Sequence, residues 1–379
     1  MKKYYYTMLL VICFGGFCQK HRIIQNVQLF DGEEVKEKVD IEIINGHFSQ
    51  ISTERIEGVD HVELIDGTGK TLLPGLINAH VHAWSKSQLK LALQEGVFAL
   101  LDMHAPEQFI DTLREMELSS SHAKYYSAGY AATVASGHGT QYGYKIPAIG
   151  EDVSPETFVN QRKENGSDYI KITYEPSRPT LSLSQIEELI QSAHDNGLLA
   201  IAHISNLKNA LEIASLKVDA LAHVWDDQVI TPEEVEELKK QKLFVVPTLT
   251  VHERSKKYYD ENDIENEMLE LDDICRNVQL LHHADIPILA GTDPLNFGIN
   301  YGSSIHRELK LLVRSGLSPT EALKAATSNP AIHFNLEDLG FIKVGMPAHF
   351  ILITGNPIKN IDVIKNLESI WIDGEQIQQ

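Results

Sequence analysis

The stretch PGLINAHVHAW, Pro74 to Trp84, closes an apolar run on two histidines one residue apart. In an extended strand alternate side chains share a face, so His80 and His82 project together while Val81 faces away. Two imidazoles placed this way can chelate a metal ion. With 17 His in 379 residues, an H-x-H is expected by chance about 0.8 times, so the pair decides nothing alone. Four more polar residues stand in apolar text: Lys171 in YIKITY, His203 in AIAHIS, His223 in ALAHVW and Asp293 in ILAGTDP. Singly, each has a structural reading as a hydrogen-bonded core histidine, a snorkelling lysine or a helix cap. Together, four imidazoles, an ammonium and a carboxylate are costly to bury unless they bind something. A divalent cation is the partner that suits imidazole and carboxylate.

The elements that carry these residues read as strands alternating with helices. The strand candidates are GLINAHVH, GVFALLDM, KYYSAGYAATV, DYIKITY, LLAIAHIS, VDALAHVW, LFVVPTLTV and IPILAGTD. Nearly all have the continuous apolar character of strands buried on both faces. Between them, Ser182 with Gln185, Thr231 with Glu234 and Ser318 with Glu321 form capping boxes, the last two with Pro232 and Pro319 at the first helical position. Ile186, Leu189, Ile190 and Ala193 make one buried stripe, and Gly197 can close that helix in a left-handed conformation. Eight buried strands spaced by amphipathic helices predict an α/β fold, a (β/α)8 TIM barrel. Its chemistry belongs at the C-terminal ends of the strands, where the six polar residues fall.

The ends of the chain have a different rhythm. From Ile23 to about Leu73, short alternating runs are broken by Asp31-Gly32, Asn45-Gly46 and Asp66-Gly67, which read as hairpins. GFIKVGMPAHFILITG and LESIWIDGEQI alternate in the same way near the C-terminus. The expected organisation is a leader over 1–18, a small β-sandwich from 19–73 and 340–379, and the barrel over 74–339. The charged segment from about His252 to Asp285 reads as a helical insertion with a solvated face.

An apolar content of 43% over 379 residues supports one large core. The formal charge of -20 disfavours nucleic acid and anionic membrane as partners, which leaves a small-molecule substrate. Lys2 and Lys3 precede an apolar stretch, Met8 to Cys18, too short to span a bilayer, which reads as a secretory signal peptide. Cleavage before Gln19 would remove Cys13 and Cys18 and leave Cys275 alone, with no intramolecular disulfide. A periplasmic or secreted location is expected, or a cytoplasmic one if the segment is retained.

These residues closely resemble the amidohydrolase superfamily of metal-dependent hydrolases. LLPGLINAHVHAW resembles its first-strand motif, with Asn78 where an Asp is common, and ILAGTDP resembles its eighth-strand motif. HRELKLLVRSGLSPTEALKAATSNPA is similar to the helix pair that follows, and GFIKVGMPAHFILITGNP to the return into the small β-domain. ASGHGTQYG, Ala135 to Gly143, resembles the Gly-His-Gly loop of the imidazolonepropionase-like and prolidase-like branch, whereas YEPSRP stands after Lys171 where a Gly-rich stretch is expected. The resemblance implies two divalent cations, zinc for preference, bridged by a carboxylated Lys171. One would take His80, His82 and Asp293, the other His203 and His223. It further implies cleavage of an amide, cyclic amide or dipeptide-like C–N bond by a metal-activated hydroxide. Asp293 would be the catalytic proton carrier and His138 a substrate contact.

Three other readings stay open. A mononuclear, imidazolonepropionase-like hydrolase of cyclic amides would use His80, His82, His203 and Asp293 with Lys171 unmodified. Deaminases of the superfamily commonly carry Glu three residues after the fifth-strand His, where this chain has Asn206. A non-catalytic metal- or ligand-binding barrel is the third, since a fold does not fix function.

Overall fold

In the computed structural model, which describes residues 20–58, 61–294 and 296–377, the alternating text at the two ends of the chain meets in one sheet. The expected leader, residues 1–18, lies outside the described residues. The first strands are β1 (His21–Phe30), β2 (Val35–Ile44), β3 (His47–Ser52), β4 (Glu63–Asp66) and β5 (Lys70–Pro74). Asn45 and Gly46 both sit at positive φ, 50° and 82°, the pair of left-handed residues that a two-residue hairpin between β2 and β3 requires. Asp66-Gly67 makes no hairpin. Both β4 and β5 run parallel to β1, in successive stretches of it. A Cβ on Gly67 would stand 2.5 Å from Val27 Cβ, so this glycine lets the chain lie against β1 instead of turning back.

Seven parallel strands follow: β6 (Leu76–Val81), β7 (Val97–Asp102), β8 (Lys124–Ser127), β9 (Ile170–Thr173), β10 (Ala200–His203), β11 (Ala220–Ala222) and β12 (Phe244–Val246). They form a three-stranded sheet, β6-β7-β8, and a four-stranded sheet, β12-β11-β10-β9. Helices separate successive strands, and all three predicted capping boxes are present. Ile186, Leu189, Ile190 and Ala193 are buried as the stripe predicts, and Gly197 has φ 70°.

The eight regular strands expected from the sequence are thus seven. IPILAGTD lacks a strand, because Pro287 has no N–H to donate and the backbone turns left-handed at Asp293. It is still tied on both sides. Val245 N–H donates to the Pro287 carbonyl at 2.9 Å, Ala79 N–H to Ala290 at 2.8 Å, and Asp293 N–H to His80 at 2.9 Å. Between β8 and β9, the Ala132 and Lys171 backbones are joined at 2.7 Å. LFVVPTLTV is also shorter than read: Pro247 stops β12 and a helix, Leu249–Glu261, starts two residues on.

The chain returns through β13 (Phe350–Thr354), β14 (Leu367–Ile372) and β15 (Glu375–Gln376). The strand order is β15-β14-β13-β5-β1-β2-β3, with β4 beside β1. The expected two-layer sandwich is therefore a single hydrogen-bonded sheet of eight strands. It is bent: β3 and β13 are four strands apart, about 19 Å in a flat sheet, yet the Phe48 and Phe350 rings are 5.9 Å apart. The bend encloses a core of its own, with Ile24, Ile41, Phe48, Leu72, Phe350 and Trp371. Among the described residues no helix is long and apolar enough to cross a membrane.

Candidate metal centre

His80 and His82 lie on β6 and just beyond it, on one face as the spacing predicts, and both meet Asp293. The Oδ1 of Asp293 is 3.5 Å from His80 Nε2 and 3.1 Å from His82 Nε2. Ligand atoms of these three residues fall within 4.8 Å of one another. His203 ends β10, and His223 follows β11 with φ 76°. Their rings close the group, His80 to His223 at 4.7 Å between centroids and His203 to His223 at 4.8 Å. Lys171 is the second residue of β9, mid-strand and not at its end, and is buried. All six predicted ligands, with His138, line one inner chamber of about 180 Å³.

The polar atoms of this chamber are short of partners. His80 Nδ1, Lys171 Nζ and Asp293 Oδ1 are buried without a hydrogen bond. Such atoms are rare in a folded protein and costly unless something else satisfies them. Burial pulls the Lys171 ammonium down to about 7, against the opposing charge of Asp293. Burial and the neighbouring Lys171 push His80 well below its ordinary value, and burial with His80 does the same to His223, which leaves both imidazoles neutral and able to donate a lone pair. At His82 burial also pulls downward, but the adjacent Asp293 carboxylate outweighs it and the value is raised. A divalent cation fits this donor set: it would meet the orphaned atoms and favour neutral imidazole and ionised carboxylate at once.

Neighbouring residues hold the ligands in place. His82 Nδ1–H donates to the His104 carbonyl at 3.2 Å, leaving Nε2 toward Asp293. His223 Nδ1 pairs with the Thr248 hydroxyl at 2.7 Å, and Thr248 too is left-handed at φ 50°. Asn296 donates to Asp293 Oδ2 at 2.8 Å, which turns Oδ1 toward the histidines. Asn78 donates to Thr292 Oγ1 at 2.7 Å and accepts from Thr292 N–H at 3.1 Å, so it clamps β6 to the segment carrying Asp293. Asn296, three residues after Asp293, was visible as an Asp-x-x-Asn spacing. Thr248 and His104 had no sequence signal.

His138 is brought into the site, its ring stacked on His203 at 4.5 Å. Glu175, from the YEPSRP stretch, has Oε2 3.9 Å from His203 Nε2, too far for a hydrogen bond. A second, outer cavity of about 560 Å³ shares His138, His203, His223, Asp293 and Asn296 with the chamber. Its far wall is Val251, His252, Ser255, Tyr259 and Met268, from the segment read as a solvated insertion. The segment is helical, Leu249–Glu261 and Leu271–His283, and its charged stretch 258–273 is largely exposed as read; beyond that reading, the inner face of the first helix, with the loop after it, lines the cavity.

Residues 71–377 match the amidohydrolase family. The chain belongs to that family. It is a metal-dependent hydrolase of carbon–nitrogen bonds on a TIM-barrel-type α/β fold. A 5-methylthioadenosine/S-adenosylhomocysteine deaminase of Dictyoglomus turgidum is 24% identical, over 88% of this chain and 85% of its own. A Xaa-Pro dipeptidase with methionine bound in its active site superimposes with a TM-score of 0.77 at 21% identity, covering 95% of this chain and all of that one. A putative prolidase from Bifidobacterium longum gives 0.78 at 21%, over 95% of each chain. Within this amidohydrolase, Asn206, at the position that lowers the deaminase reading, caps the helix Leu207–Ser215 by accepting from Asn209 N–H.

Proposed function

We propose that this amidohydrolase cleaves an amide, cyclic amide or dipeptide-like C–N bond of a small molecule at two divalent cations, zinc for preference, on a (β/α)8 barrel that residues 287–293 close. His80, His82 and Asp293 would hold one ion, His203 and His223 the other, with a carboxylated Lys171 between them. The observation that carries this reading is Lys171: a buried Nζ without a partner, pulled down to about 7, beside four imidazoles. The neutral amine fraction near neutral pH can bond to CO2 and release a proton to solvent, and the carbamate anion so formed would make an orphaned side chain a ligand. When bound, the ions would lower the pKa of water toward about 7 and polarise the scissile carbonyl.

The chain's own residues do the rest. Asp293 Oδ1, unpartnered and steered by Asn296, is the site that accepts the water proton and returns it to the departing nitrogen. His138 would contact the substrate, a reading supported by its stacking on His203 and its position in the lining of both chamber and outer cavity. The apolar stretch Met8–Cys18 supports export before function.

In the mononuclear reading His80, His82 and Asp293, which gather within 4.8 Å of one another, would hold a single ion with His203 beside an unmodified Lys171. Metal content per chain together with intact mass separates the two. Two ions and the added mass of CO2, lost in Lys171→Ala, support the dinuclear site; one ion and an unmodified mass support the other. A screen of dipeptides, N-acyl amines and five-membered cyclic amides with zinc-loaded protein tests hydrolysis itself.

A further inference from the structure

The outer cavity decides which amide fits, and its charge is one-sided. Glu175, Asp226 and Glu265 line it, and no Lys or Arg does among the described residues. Arg178, whose charge reaches His138, is exposed and outside this lining. Asp226 Oδ2 faces His252 Nδ1 at 3.4 Å, while Glu265 is exposed at the mouth. Val251, Tyr259, Met268 and Phe297 add apolar and aromatic surface, beside neutral polar groups such as Ser205, Ser255 and Asn266. Phe297 contacts both Tyr258 and Tyr259, at 5.6 and 6.2 Å between ring centroids, so the loop after Asp293 and the helix Leu249–Glu261 meet over the opening. Asp293 lines both this cavity and the inner chamber and carries a buried, unpartnered Oδ1, which joins the acidic wall to the reacting end.

We propose that the part of the substrate lying in the outer cavity is an apolar or aromatic body bearing a neutral or cationic end, and that substrates with a free carboxylate there are selected against. This rests on the amide-hydrolase reading above and narrows it. A free α-carboxylate, as in an ordinary dipeptide or N-acyl amino acid, would face like charges with no guanidinium or ammonium in the lining to pair with. An ammonium or amide would meet Glu265 and Glu175, and an aromatic ring would stack on Tyr259 or Phe297.

The test uses the metal-loaded protein and three substrates that share an acyl group and an aromatic amine: N-acyl-tyrosine, its methyl ester and N-acyl-tyramine, with amine release followed. The expected kcat/KM for the ester and the tyramine amide is about tenfold or more above that for the free acid, and Glu265→Gln narrows the gap. Calorimetric binding of tyrosine methyl ester and tyramine against tyrosine reads the same preference without turnover. Preference for the free acid in either measurement, or a gap unmoved by Glu265→Gln, overturns the inference. If no amide turns over but the ester and tyramine bind better than tyrosine, the hydrolytic assignment fails and the charge selection stands.

Discussion

Asp293, the proposed proton carrier, has two oxygens in different company. Oδ2 is held by Asn296 at 2.8 Å, and Oδ1 faces two imidazoles with no donor of its own. Asp293→Asn keeps an oxygen for a metal but loses the basic site, so turnover should fall by at least about 10²- to 10⁴-fold while metal analysis shows most of the ion retained. An active Asn variant would remove Asp293 from the proton path. Lys171 gives a second expectation. Its folded value of about 7 lies below the ordinary 10.5. Between those values the unfolded chain binds a proton that the folded one lacks, so stability rises with pH there. Metal-free protein should gain about 1.4 kcal/mol per pH unit in that window, a gain lost again as pH falls toward 7. Denaturation at a series of pH values should show this slope in wild type and not in Lys171→Met. The residue types of the six proposed ligands were legible because each stands out from apolar text. Their supports Thr248 and His104 were not, since they act through contacts with residues 25 and 22 positions away in sequence.

At the level of elements, local chemistry is what the sequence exposes best. Capping boxes join residues three apart, and all three formed. Continuous apolar runs found seven strands, since burial on both faces leaves that mark on composition. The eighth segment shows the limit of such reading. Its apolar text is strand-like, but Gly291 lies so close to β6 and β12 that a Cβ would stand 2.7 Å from His80 Cβ and 2.5 Å from Val246 Cγ1. Gly291→Ala should therefore move the segment away from His80 and Asp293 together. The expected outcome is a stability loss of about 1–3 kcal/mol in denaturant with a larger proportional loss of metal affinity by competition with a chelator. Normal metal affinity in a destabilised variant would show that this close approach serves packing alone. The Asp66-Gly67 hairpin failed for a related reason: a turn dipeptide signals a reversal, and only its neighbours decide whether the flanking strands pair.

For the molecule as a whole, binding and folding are linked through the chamber. Two buried imidazoles, His80 and His223, two part-buried ones, His82 and His203, and the buried Lys171 and Asp293 are assembled from segments spread over more than two hundred residues, and three of their polar atoms lack partners. An ion bound only by the folded state stabilises it, by about 2.7 kcal/mol at a hundred times its dissociation constant. Chelation should accordingly lower the thermal midpoint by several degrees, and returning zinc should restore it. A midpoint indifferent to chelator and metal would argue against a metal centre here. The sequence by itself determined the donor types, most of the strands, the helix starts and the family resemblance, because these are written in composition and in spacings of a few residues. Only the tertiary structure decided that the charged insertion walls the cavity, that the β-domain expected from both ends is one bent sheet, and that the outer wall is acidic. Those features depend on which distant surfaces come to face one another, and no local pattern of residues records that.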